Sequence, residues 1–258
     1  MSGFEKLLSV VRALRGENGC PWDKAQTPLS LRRFLVEECF EAVDAIGQGD
    51  ALHVKEELGD VFFNVLLDAS IYEENGDFTI DECFDAIAEK LIRRHPHVFQ
   101  NSSGESQKNA DISLQWERIK ENVEGRKGSI FDDVPLSFPP LLRSSKLISK
   151  AAKRGFSWEN ADEARKKVLE EFSEVEKAAV EGNAIHLEEE IGDLLFSVSC
   201  WAKMLGVDPT LALSRANAKF QTRVEGVETR MKKRGLSMDE NHRAQMAECW
   251  KEEKAESI

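Results

Sequence analysis

Two short acidic segments are the part of this sequence best suited to chemistry. The first contains Glu38 and Glu41 and the second Glu57 and Asp60, so each carries two carboxylates three residues apart. Residues at positions i and i+3 of a helix are neighbours, with Cβ atoms about 5–6 Å apart. If two such helices pack antiparallel, four carboxylates converge in one cleft, and their repulsion requires a positive ligand. A hard divalent cation, which prefers oxygen ligands, is the simplest candidate.

The position of the first pair on its helix supports this interpretation. Glu38 and Glu41 fall where the apolar stripe through Leu31, Phe34 and Ala42 should run. Burying an unpaired carboxylate is unfavourable, so a core helix does not normally direct acids inward. We therefore expect both side chains to point into the bundle for a functional reason.

The same acidic pattern occurs a second time. Glu171 and Glu174 repeat the first pair, and Glu190 and Asp193 repeat the second, at an offset of 133 residues (171 − 38 and 193 − 60). The interval between the pairs is also kept, at 19 residues (57 − 38 and 190 − 171). A repeat in register over four acids is improbable by chance, which favours two metal clusters over solvated helix faces. The predicted ligands are Glu38, Glu41, Glu57, Asp60, Glu171, Glu174, Glu190 and Asp193.

Basic and aromatic residues follow the acids in both halves, in the same order. Lys219 and Arg223 share one helical face, and Trp250 is followed one turn later by Lys254. Ammonium and guanidinium groups bind phosphate oxygens, and the tryptophan ring offers a flat surface on which a base can stack. The first-half counterparts are Lys90, Arg94, Trp116 and Lys120.

Together these residues predict a phosphoryl-transfer site. Mg²⁺, or Mn²⁺ in its place, would be held by the acids, bridge phosphate oxygens and lower the pKa of a bound water. A spare acid, Glu170 or its first-half counterpart Glu37, would orient or deprotonate that water. We assign Glu170 and Lys219 as the catalytic residues, with Lys219 also among the nucleotide contacts.

Composition excludes several other classes of protein. The net charge of −12 argues against a nucleic-acid-binding surface. The five cysteines are scattered without a Cys-x-x-Cys motif, as expected for free thiols in a reducing compartment. No signal sequence is visible, and no apolar run approaches the ~20 residues that a membrane span needs. We therefore expect a cytoplasmic protein with no membrane or nucleic-acid partner.

The fold expected from the sequence is all-α. Strand patterns are nearly absent, whereas helix-capping signals recur at Thr27, Thr79 and Asn160. The repeat predicts two helical bundles in tandem, at residues 1–124 and 141–258, each of roughly four helices. A proline-rich segment, 125–140, is the predicted linker.

These motifs resemble the MazG family of all-α nucleoside triphosphate pyrophosphohydrolases. The resemblance rests on Glu-Glu-x-x-Glu on one helix, Glu-x-Gly-Asp on the next, and three longer segments. Those segments are Gly-Cys-Pro-Trp-Asp at 19–23, Arg-Arg-His-Pro-His-Val-Phe at 93–99, and Glu-Glu-Ile-Gly-Asp-Leu-Leu-Phe at 189–196. The resemblance implies hydrolysis of nucleoside triphosphates between the α and β phosphates with Mg²⁺, a homodimer, and a housecleaning role in the nucleotide pool.

The resemblance also assigns residues. It implies metal ligands at Glu171, Glu174, Glu190 and Asp193, with the C-terminal copy as the main catalyst. The implied nucleotide contacts are Lys219, Arg223, Trp250 and Lys254. All four acids of the N-terminal copy are also kept, so the sequence leaves its activity open.

Two alternative functions fit the sequence less well. A di-iron carboxylate bundle requires Glu-x-x-His on two helices, a motif that this sequence lacks, and its histidines fall outside the acidic turns. A non-enzymatic helical interaction module, with the acids as a partner surface, is disfavoured by the predicted inward direction of Glu38 and Glu41. Base preference is not predicted, because stacking on tryptophan tolerates any base.

Overall fold

The computed structural model describes residues 1–99 and 128–256, and the regular structure within these ranges is entirely helical. This confirms the all-α prediction. The chain divides into two compact units, Met1–Arg126 and Lys127–Ile258. Trp116 and Lys120 lie outside the described residues. None of the described helices has the length and apolar composition that a membrane span requires.

Each unit contains one pair of long acid-bearing helices and several further helices. The first unit contains α1 (Gly3–Arg15), α2 (Pro21–Lys24), α3 (Pro28–Gln48), α4 (Ala51–Asn75), α5 (Ile80–Arg94) and α6 (Pro96–Phe99). The second contains α7 (Pro140–Ala152), α8 (Ala161–Glu181), α9 (Ala184–Met204), α10 (Pro209–Lys233), a 3-10 turn (Glu240–His242) and α11 (Arg243–Glu256). The acids lie on α3 and α4 in one unit and on α8 and α9 in the other.

Tight turns make the two acid-bearing helices of each unit antiparallel neighbours. Gly49, at φ +79°, ends α3, and Gly182, at φ +73°, ends α8. Both adopt the left-handed conformation that glycine accepts without steric cost. The next residue begins the following helix: the side chain of Asp50 accepts from the Leu52 amide, and that of Asn183 accepts from the Ile185 amide. The same register is therefore built into both hairpins.

Capping residues also begin the other helices where the sequence predicts. Thr27 and Thr79 form capping boxes with the residues three positions later. The side chain of Asn160 accepts from the backbone amides of Asp162 and Glu163. These bonds satisfy backbone donors that have no partner inside the helix.

The apolar core of each unit lies beside its hairpin. In the first unit α1 and α5 pack on α4, and the buried core residues are Val11, Leu31, Leu66, Leu67, Ile71 and Ile80. In the second, α7 packs on α9 and α10, and α11 packs on α10 around Val227, Met231 and Cys249. The other helices of each unit thus support the hairpin that carries the acids.

Candidate active site

The acids of the C-terminal unit converge as predicted, with one exception. Carboxylate oxygens of Glu171 and Glu174, on α8, and of Glu190, on α9, all lie within 4.8 Å of one another. Glu171 is only 6% exposed. A hydrogen bond with Glu171 raises the pKa of the Glu174 carboxyl, and desolvation raises it further. These acids are therefore close enough to repel one another strongly, as the ligands of a cation do. Asp193 is exposed and lies outside this group.

A lysine partly neutralises the C-terminal cluster. The Nζ atom of Lys167 lies 2.7 Å from Glu171 Oε1 and 2.7 Å from Glu170 Oε1. Hydrogen bonds to Glu170 and Glu171 raise the pKa of Lys167 well above its ordinary value. At the offset of 133 residues the N-terminal copy has Phe34 (167 − 133) instead, and Glu37 in place of Glu170 (170 − 133). Only the C-terminal copy therefore carries this internal cation.

The N-terminal cluster has the same geometry and a clearer deficit of positive charge. Carboxylate oxygens of Glu38, Glu41 and Glu57 lie within 4.8 Å of one another. Desolvation raises the pKa of Glu38, and the charges of Asp60 and Glu41 add to this effect. Glu57 is 9% exposed, and its Oε2 is buried with no hydrogen-bond partner among the residues that the structure describes. An unpaired, buried carboxylate oxygen in such a cluster fits a bound divalent cation.

Burial differs from the sequence expectation within this cluster. Glu38 is half-buried and Glu41 is exposed, so Glu57 on α4 is the most buried acid of the three. The buried residues of α3 are Leu31, Ala42 and Ala45, which follow the predicted apolar stripe without the two acids. The expectation that both α3 acids point into the bundle was therefore wrong. The reason is that the acids line the edge of the α3–α4 interface and not its centre.

Asp60 is related to the N-terminal cluster through its charge. It is exposed and lies outside the three-carboxylate group. Its negative charge nevertheless raises the pKa of Glu38, which requires the two carboxylates to be close. Ligation by Asp60 and Asp193 stays a prediction.

Sequence reasoning missed two histidines that contact the clusters. Nε2 of His53 lies 3.1 Å from Glu57 Oε1, and Nε2 of His186 lies 3.1 Å from Glu190 Oε1. Nδ1 of His186 also lies 2.9 Å from an oxygen of Glu181, and this bond is the main cause of the raised pKa of His186. The signal was available in the sequence, because both histidines precede their glutamate by four residues and are themselves 133 residues apart (186 − 53).

The predicted nucleotide contacts are partly brought together on α10 and α11. The Arg223 guanidinium carbon lies 6.0 Å from the Trp250 ring centre. The ring centres of Phe220 and Trp250 lie 5.7 Å apart. The Nε atom of Arg223 is buried and has no hydrogen-bond partner within the described ranges. Lys219 and Lys254 are exposed, one helical turn from Arg223 and Trp250 respectively. Cation–π attraction at this distance positions the arginine beside the ring.

Ion pairs hold α11, and with it the Trp250 ring, against α10. Arg230 Nε lies 2.5 Å from Glu253 Oε1, and Arg234 lies 2.7 Å from Glu252 Oε1. Gly226 leaves room for the Glu253 carboxylate, since a Cβ there would lie 2.2 Å from its carboxyl carbon. In the N-terminal copy, Lys90 and Arg94 are half-buried on α5.

Known proteins with similar sequences indicate the family to which this chain belongs. The model of the MazG nucleotide pyrophosphohydrolase domain matches residues 26–99 and 160–227. The nucleoside triphosphate pyrophosphohydrolase of Escherichia coli (strain K12) is 38% identical over 263 residues, covering 100% of this chain and 99% of that protein. The nucleoside triphosphate pyrophosphohydrolase/pyrophosphatase MazG of Thermotoga maritima is 39% identical over 252 residues, covering 97% and 95%. The crystal structure of a mazG-related protein from Thermotoga maritima matches 45% of this chain and 98% of its own, at 26% identity and a TM-score of 0.40.

Both matched segments contain one acid hairpin with its three clustered glutamates. The chain therefore belongs to the MazG family and carries the family's nucleotide pyrophosphohydrolase domain twice.

Proposed function

We propose that this protein hydrolyses nucleoside triphosphates between the α and β phosphates, giving a nucleoside monophosphate and pyrophosphate, with Mg²⁺ as the cofactor. The convergence of Glu171, Glu174 and Glu190 within 4.8 Å carries the proposal, because a triphosphate reaches such a site only as its metal complex. The relatives named as nucleoside triphosphate pyrophosphohydrolases support the reaction class. We also propose that the reaction serves housecleaning of the nucleotide pool.

The clusters would hold the metal. Glu171, Glu174, Glu190 and Asp193 are the proposed C-terminal ligands. Glu38, Glu41, Glu57 and Asp60 are their N-terminal counterparts. When bound, Mg²⁺, or Mn²⁺ in its place, supplies positive charge to phosphate oxygens and acidifies a coordinated water.

Residues on α10 and α11 would bind the substrate. Arg223 lies beside Trp250, so the base can stack on the ring while the guanidinium binds phosphate oxygens. The exposed ammonium groups of Lys219 and Lys254 would neutralise further phosphate charge. Stacking reads no base edge, so we expect broad base tolerance.

Glu170 is the proposed acceptor of the water proton. It lies beside the ligand Glu171 in sequence, and its side chain is 58% exposed, so a water can reach it. The 2.7 Å bond from Lys167 holds one of its oxygens in place and leaves the other for the water.

We assign the main activity to the C-terminal copy. The reason is that Lys167 holds the proposed proton acceptor Glu170 at 2.7 Å. This lysine has no basic counterpart in the N-terminal copy, where Phe34 takes its place. The test is to compare Glu190→Ala with Glu57→Ala while resolving pyrophosphate from orthophosphate for each nucleoside triphosphate. We expect pyrophosphate as the first product and its loss chiefly in Glu190→Ala. Equal losses would contradict the assignment, and orthophosphate as the first product would contradict the cleavage site.

A homodimer is also proposed, because α3 and α4 leave an apolar surface uncovered. Phe40, Ile46 and Phe62 are 50%, 58% and 63% exposed. Ile46 and Phe62 line a groove of about 660 Å³ together with Leu58. Surfaces of this kind usually mark an interface. Light scattering should give twice the chain mass for the wild type and the monomer mass for Phe62→Glu. A wild-type monomer would contradict the proposal.

A further inference from the structure

The two histidines beside the clusters share one spacing. His53 and His186 each stand one helical turn before a cluster glutamate, and Nε2 lies 3.1 Å from its Oε1 atom in both copies. In the C-terminal copy this contact is a hydrogen bond. A histidine and a glutamate at positions i and i+4 often meet on an exposed helix face without any function. Three further observations distinguish this pair.

First, the two oxygens of Glu57 have different surroundings. Glu57 Oε1 lies 3.1 Å from His53 Nε2, whereas Glu57 Oε2 is buried with no hydrogen-bond partner in the described part of the chain. While Oε1 stays beside the imidazole, Oε2 keeps its buried position. The buried oxygen therefore remains available to a cation.

Second, the C-terminal histidine joins the two helices of its hairpin. Nδ1 of His186 lies 2.9 Å from Glu181 Oε2 at the end of α8, while Nε2 binds Glu190 on α9. The two carboxylates therefore contact opposite nitrogens of one ring. The imidazole ring is thereby held at both ends, and so is the carboxylate that it binds.

Third, the pair is repeated although nearby residues are not. Lys167 corresponds to Phe34 (167 − 133), and Glu181 corresponds to Gln48 (181 − 133). The histidine–glutamate pair itself is unchanged in both copies.

We propose that His53 and His186 are positioning residues, each of which fixes one carboxylate of a metal cluster by binding one oxygen and leaving the other for the cation. This rests on the proposed metal function of the clusters. Hydrogen-bonding partners of metal ligands typically contribute about 10–100-fold to metal affinity, and we expect a loss of that size when either ring is removed.

The experiment measures Mn²⁺ binding to the full chain by electron paramagnetic resonance, without substrate. Glu57→Ala isolates the C-terminal cluster, and Glu190→Ala isolates the N-terminal one. His186→Ala in the first background and His53→Ala in the second should each weaken Mn²⁺ about 10–100-fold. Histidine→Gln, whose amide can replace the Nε2 donor, should recover most of the affinity. His242→Ala is the matched control, because His242 pairs with Asp239, outside both clusters.

The outcomes separate this inference from the function on which it rests. Wild-type protein that binds no Mn²⁺ overturns both. Wild-type binding that persists unchanged in the alanine variants overturns the positioning role alone. Equal weakening by alanine and glutamine also overturns it, because the donor would then be irrelevant. Thermal unfolding without metal shows whether each variant is folded.

Discussion

Lys167 gives the sharpest test of how the C-terminal cluster is neutralised. It bonds two acids, of which Glu170 is 58% exposed and Glu171 only 8% exposed by side chain. An exposed ion pair contributes only about 0–1 kcal/mol, so the bond to Glu170 matters little. Removing a charge-assisted hydrogen bond from the buried Glu171 costs about 1.5–3 kcal/mol. Because the lysine is itself 31% exposed, the larger cost of breaking a fully buried pair does not apply.

We therefore expect Lys167→Met to lower the free energy of unfolding by about 1.5–3 kcal/mol without metal. At roughly 2–4 °C per kcal/mol for a chain of this size, the melting temperature should fall by about 3–12 °C. Saturating Mg²⁺ should stabilise the variant more than the wild type, because the lysine no longer competes for Glu171. Stabilisation by a ligand at 100 times its dissociation constant is about 2.7 kcal/mol, which is enough to offset most of the loss.

Calorimetry with and without Mg²⁺ measures both effects. Lys166→Met is the matched control, because Lys166 pairs with Asp162 and both side chains are more than half exposed. The control should change the free energy of unfolding by less than about 0.5 kcal/mol. Equal destabilisation by the two substitutions, or a Mg²⁺ effect that is smaller in Lys167→Met than in the wild type, would refute the reasoning.

Three further predictions concern other parts of the molecule. The pKa of Glu38 is raised in the folded state, so protonated Glu38 contributes stability below the unfolded value of 4.5 and loses it as pH rises through the folded pKa. Urea unfolding of metal-free protein should accordingly find Glu38→Gln more stable than wild type near pH 7, with the difference shrinking towards pH ~4.5; a constant difference would contradict this. Trp250→Ala should weaken binding of a non-hydrolysable triphosphate about 5–150-fold in equilibrium dialysis, since base stacking contributes about 1–3 kcal/mol, whereas Trp250→Phe should keep most of the affinity. Met231→Ala, at a side chain that is 0% exposed, should cost about 2–5 kcal/mol in urea unfolding, and a loss below about 1 kcal/mol would mean that the core of the second unit refills the cavity.

The repeat allowed much of the hairpin geometry to be predicted from sequence. An offset of 133 residues kept over four acids locates both hairpins, and capping residues such as Thr27 and Thr79 give the helix starts. Helical periodicity fixes which residues share a face, so the meeting of Glu171 with Glu174 followed directly. These features are local, and local signals survive in a single sequence.

Features that depend on packing were less predictable. Periodicity alone placed Glu41 inward, but how two helices roll against each other decides burial, and Glu41 is exposed. The Glu-x-x-His motif does not include His53 and His186, because each of them precedes its glutamate by four residues. Their spacing to Glu57 and Glu190 nevertheless repeats at the same offset as the acids. The ion pairs that join α10 and α11, such as Arg230 with Glu253, link residues 23 positions apart and leave no periodic trace.

The two-residue corners at Gly49 and Gly182 have a consequence for how this protein can change over time. A helix turns about 100° per residue, so one residue inserted in the helix between either corner and Glu57 or Glu190 would rotate that glutamate about a quarter-turn away from its partners. The 19-residue interval between the acids therefore cannot lengthen or shorten by one residue within these helices without separating the carboxylates (57 − 38 and 190 − 171). Evolution must preserve this spacing in each copy more strictly than the identity of the surrounding residues.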